Sequence, residues 1–100
     1  MFNHIVLFKL KDFQNDQIKS DIRDQIKNAL LGLRDKITEL KYLEVGNNFE
    51  LNSTSFDISL VTRFDSFESF VVYRDHPEHL KAVRLVRANT VDRAVVDYCD

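Results

Sequence analysis

The stretch FDSFESFVVYRDHPEHL (residues 64–80) contains the change of period on which the fold depends. Phe64 closes an alternating run from residue 55. In that run Phe56, Ile58, Leu60, Thr62 and Phe64 share one face, and Asp57, Ser59, Val61 and Arg63 share the other. Such alternation predicts a strand. It stops at Asp65, which with Glu68 has the spacing of a capping box and predicts a helix from Ser66 to about Arg74. Pro77 has no amide hydrogen to continue that helix, but it suits the first position of a new one, with His76 just before it. The new piece runs to about Ala88 and carries Leu80, Val83 and Val86. Alternation returns from Val91 to Tyr98, a last strand.

The upstream half has a similar rhythm without sequence repetition. Residues 2–11, FNHIVLFKLK, alternate imperfectly, with Phe2, His4, Val6, Phe8 and Leu10 on one side and Asn3, Ile5, Leu7 and Lys9 on the other. The middle of this strand is apolar on both faces, which predicts that both faces are covered. From Asn15 the period becomes helical. Ile18, Ile22, Ile26, Leu30 and Leu33 form one stripe, with Asn15 or Asp16 as N-cap and Gly32 loosening the last turn. Arg34 to Ile37 adds a further turn, and residues 39–48 read as a strand ending at Gly46-Asn47-Asn48. The order is βαββαβ, an α+β chain with its second helix broken at Pro77.

At 100 residues the chain has the size of one domain, residues 1–100, with room for one core. A net charge of −2 supplies no basic field for a phosphate backbone, so nucleic acid is not an expected partner. Cys99 is the only cysteine, so neither an intrachain disulfide nor a cysteine zinc site is expected. The uninterrupted apolar run from Ile5 to Phe8 is too short for a signal peptide or a membrane span. A cytoplasmic location without membrane association is the expectation.

Three segments carry a family resemblance: HIVLFKLK (4–11), LEVGNN (43–48), and Tyr73-x-x-His76-Pro77-x-His79 followed by Val96-Asp97-Tyr98. Together they resemble the stress-responsive α/β-barrel (Dabb) domains over roughly residues 3–98. The resemblance implies a ferredoxin-like fold, in which a four-stranded antiparallel sheet in the order 4-1-3-2 carries helices on one face. Two copies would pair into a dimeric α+β barrel. Members include plant stress proteins and a plant polyketide cyclase that closes an aromatic ring by aldol condensation. The positions matching Tyr73 and His79 are catalytic in that cyclase, and those matching His4 and Asp97 line its pocket.

The residues themselves support a homodimer. Ile5, Leu7, Val61 and Val96 would lie on the sheet face away from the helices, and covering each gains about 1.5–3 kcal/mol before association costs. Two readings of the polar residues stand side by side. In the first, Asp97 orients an imidazole, His79 moves a proton and Tyr73 donates a hydrogen bond to a carbonyl or enolate oxygen of a small ligand, without a cofactor. His4, His76 and Asp97 then help to bind the ligand. In the second, the same groups satisfy one another and brace the fold, with His76 at the cap of the second helical piece. A metal site at His76-x-x-His79, with His4 as a third ligand, is the weakest reading, because Pro77 turns the chain between the first two and no Cys or second carboxylate motif supports it. Lys81, Arg84 and Arg87 read as solvated side chains that complement the helix C-terminus.

Overall fold

The structure is a computed structural model and describes residues 1–49 and 54–100. Its elements are β1 (Phe2–Leu10), α1 (Asp16–Leu31), β2 (Tyr42–Asn47), β3 (Ile58–Phe64), α2 (Phe67–Asp75), α3 (Pro77–Asn89) and β4 (Thr90–Cys99), with a 3₁₀ turn at Gly32–Asp35 after α1. The four strands lie in the order β2-β3-β1-β4, all pairs antiparallel. This is the ferredoxin-like arrangement expected above.

Local chemistry sets the element ends. Asn15 caps α1 by accepting from the Ile18 amide at 2.8 Å. The cap of α2 is Ser66, whose Oγ accepts from the Ser69 amide at 3.1 Å, one residue beyond the expected Asp65. At His76 the backbone is extended, so α2 stops there, and Pro77 opens α3 where its missing amide hydrogen leaves no helical bond unmade.

The even-numbered side of β1 faces the helices. Phe2, Val6, Phe8 and Leu10 are buried there with Leu60 and Phe64 of β3 and with Ile26 and Leu30 of α1. The odd-numbered side points away from the helices. Ile5 lies between Val61 and Val96 in register, and Leu7 lies between Ser59 and Ala94. In the isolated chain Leu7 and Val96 are exposed.

One side chain departs from its expected place. Asp57 was expected on the outward, polar side of the third strand. The strand begins only at Ile58, and Asp57 is buried. Its Oδ2 accepts from the Leu10 amide at 2.7 Å and its Oδ1 meets Lys19 Nζ at 3.3 Å. The carboxylate thus satisfies an amide at the end of β1 and ties it to α1, which outweighs the preference of a charge for water.

Candidate ligand cleft

Each of the residues singled out above is held by an element whose local sequence explains its position. His4 is on the helix side of β1 and lies opposite Asp97 of β4 in register. Its Nδ1 is 2.5 Å from Asp97 Oδ1. A carboxylate only accepts, so Nδ1 carries the hydrogen and the lone pair of a neutral ring is left at Nε2. The His4 ring also packs on Phe70 of α2, with centroids 4.7 Å apart. The imidazole that Asp97 orients is that of His4.

His79 is on the first turn of α3. Its Nδ1 lies 2.9 Å from the carbonyl oxygen of Arg74, which again assigns the hydrogen to Nδ1 and leaves Nε2 as the free acceptor. Burial lowers its pKa below the ordinary 6.5, the carbonyl bond opposes that shift, and the neighbouring His4 reinforces it. His79 is thus neutral at pH 7.

His4, Asp97 and His79 line one open cleft of about 460 Å³ between the β1–β4 side of the sheet and α3. Phe8, Leu60, Val83, Val86 and Val95 supply much of the apolar surface. The cleft exists because α3 leaves the inward side of the edge strand β4 partly uncovered: Val95 and the Asp97 side chain remain exposed.

Tyr73 and His76 stand elsewhere. Tyr73 is fully buried behind the cleft, with its ring 5.0 Å from Phe64 and 4.3 Å from His79, and it is not among the lining residues. Its hydroxyl has no hydrogen-bond partner among the described residues. Burial also pushes its pKa well above the ordinary phenol value, so the group stays protonated and can donate. Of the two residues assigned to the chemistry above, His79 lines the cleft, and Tyr73 packs against its ring from behind. His76 is not in the lining either: its Nδ1 accepts from the Glu78 amide at 3.0 Å and caps α3. Among the described residues no three His, Cys, Asp or Glu side chains come together as a metal site. Sequence reasoning missed two arginines of the lining, Arg87 and Arg93. The available signal was Arg93, two residues from Val95 and four from Asp97, on the same face of the last strand.

The model of the stress responsive A/B barrel domain matches residues 2–100. The chain belongs to this family. A protein from Bacteroides fragilis, described as dimeric, ferredoxin-like and of unknown function, is 35% identical. It aligns over 97% of this chain and 93% of its own with a TM-score of 0.85. A second dimeric ferredoxin-like protein of unknown function, from Thermobifida fusca, is 30% identical over 97% of this chain and 88% of its own, with a TM-score of 0.83. The hydroxynitrile lyase of Passiflora edulis shares the fold at 19% identity, over 97% of this chain and 90% of its own, with a TM-score of 0.80. No curated protein matches the chain. None of the helices among the described residues is long and apolar enough to cross a membrane.

Proposed function

We propose that this stress responsive A/B barrel protein is a homodimer that binds a small carbonyl-containing ligand in the cleft beside α3. The observation that carries this reading is the convergence of the His4–Asp97 pair and His79 on one open, otherwise largely apolar cleft. A pocket of that volume with a few converging polar groups has the usual anatomy of a small-molecule site. The homodimer is supported by the apolar centre of the outer sheet face and by the dimeric state of the two relatives. Covering Leu7 and Val96 with a second copy removes apolar surface from water. Residues 1–100 act as one unit in this reading, without a cofactor. The setting is a reducing, cytoplasmic one that suits the free thiol of Cys99.

A second reading, an enzyme, is favoured by the state of His79. A neutral imidazole with a free Nε2 is a competent base at pH 7. It would take a proton from the carbon next to the ligand carbonyl, and the electron pair would pass to the oxygen as an enolate. In this reading Tyr73, buried behind the cleft, packs against the His79 ring and does not reach that oxygen. Lyase chemistry on this fold is represented by the hydroxynitrile lyase of Passiflora edulis.

The test is titration of an aromatic ketone into the wild type, His79→Ala and Asp97→Asn, with circular dichroism to check folding. Both variants are expected to stay folded and to bind the ketone more weakly. Any turnover found in the wild type is expected to drop about 10²–10⁴-fold in His79→Ala. Ketone binding equal in all three proteins would remove the reading.

A further inference from the structure

The cleft has a second end, away from His79 and the His4–Asp97 pair. Along β4 the inward row runs Asp97, Val95, Arg93, facing His4, Val6 and Phe8 of β1 in register. Along α3 the facing wall runs from His79 past Val83 and Val86 to Arg87. Four strand residues span roughly 13 Å, and eight helical residues roughly 12 Å. Two independent walls therefore place a pair of guanidinium-bearing residues at a similar distance from the imidazoles, with apolar side chains between.

Among the described residues these two arginines have no charged partner. Arg74, also in the lining, is paired with Asp75 at 3.0 Å, and Asp97 is engaged by His4. Among the described residues neither Arg87 nor Arg93 has an ion pair or a side-chain hydrogen bond. The Thr90 hydroxyl beside them is already bonded to the Val86 carbonyl at 2.9 Å. The helix dipole accounts for Arg87, which stands in the last turn of α3. It does not account for Arg93, which occupies an inward register position beside Val95 and opposite Phe8, itself paired with Ile58, all apolar.

We propose that the cleft takes an anionic amphiphile, whose carboxylate or phosphate monoester is held by Arg87 and Arg93 while its carbonyl lies at His79 and the His4–Asp97 pair. This rests on the ligand-cleft reading above and adds the class of ligand to it. Planar guanidinium forks on two walls suit either oxyanion, and an apolar chain of matching length fills the middle.

The experiment is calorimetric titration of 9-oxodecanoate, its methyl ester and 8-oxononyl phosphate into the wild type and the double variant R87Q/R93Q. Both arginines are exposed, so the double variant retains the fold, checked by circular dichroism. The acid is expected to bind the wild type about tenfold tighter than the ester, because charge-assisted bonds are lost on esterification. That preference is expected to vanish in the double variant. Tighter binding of the phosphate than of the carboxylate upholds the proposal and names phosphate as the head group, and the reverse order names carboxylate. Ester and acid binding equally well to the wild type overturns the anion site and leaves the ligand cleft standing. An acid preference that survives in the double variant overturns it as well. Binding of none of the three probes overturns both readings.

Discussion

Replacing Tyr73 by Phe is expected to stabilise this protein, against the usual direction of a core substitution. The Tyr73 side chain is fully buried, and its hydroxyl has no partner among the described residues. A buried hydroxyl without a hydrogen bond costs about 1–3 kcal/mol in lost hydration. Phenylalanine keeps the ring, and with it the contacts to Phe64 at 5.0 Å and His79 at 4.3 Å. The expected gain is therefore about 1–2 kcal/mol, and each kcal/mol raises the Tm of a domain this size by about 4–8 °C. Thermal melts followed by circular dichroism, at one fixed protein concentration because a dimer's Tm depends on it, measure the shift. Urea titration should move the midpoint up with the slope unchanged. Tyr73→Ala is the control: it removes the ring as well and should cost about 3–5 kcal/mol. A fall in Tm on Tyr73→Phe without ligand would refute the reasoning, because it would mean that the hydroxyl is bonded in the folded protein.

Three further outcomes follow from the structure. Leu7→Lys should convert a species of about twice 11.8 kDa into one of 11.8 kDa by light scattering, because an unpaired ammonium is costly in an apolar interface, whereas Lys9→Glu should not. A wild type that runs as a monomer at micromolar concentration would sink the dimer. Asp57→Ala should lose about 1–3 kcal/mol in urea melts, since the Leu10 amide and Lys19 both lose their partner; a loss under about 0.5 kcal/mol would place Asp57 among ordinary surface residues. Burial lowers the pKa of His79, so below 6.5 the unfolded chain binds more protons than the folded one. Its contribution to stability is present in full above 6.5 and is lost as the pH falls through the lowered value. The Tm of the wild type should therefore drop more steeply on acidification than that of His79→Gln, and parallel curves would count against it.

Much of the fold was legible because it is local. Alternation marked the strands, a period of three to four marked α1, and Asn15 and Pro77 marked helix starts, since side-chain spacing and backbone caps act over a few residues. The His4–Asp97 contact was legible for a related reason. Once the first and last strands pair antiparallel, facing alternation leaves little freedom of register, and a slip of one residue would invert every side chain. The roles of the remaining site residues depended on packing between distant elements. The path of α3 across the sheet decided that His79 meets the cleft while Tyr73 stays behind it, and that Arg87 joins Arg93 in its lining. The extended backbone at His76 turned that imidazole into a cap, and the late start of β3 drew Asp57 inside to meet an amide that needed an acceptor. Polar side chains such as these have no periodicity of their own. Their partners are assigned only when the core has closed and each buried donor or acceptor must find whatever the tertiary structure has brought within reach.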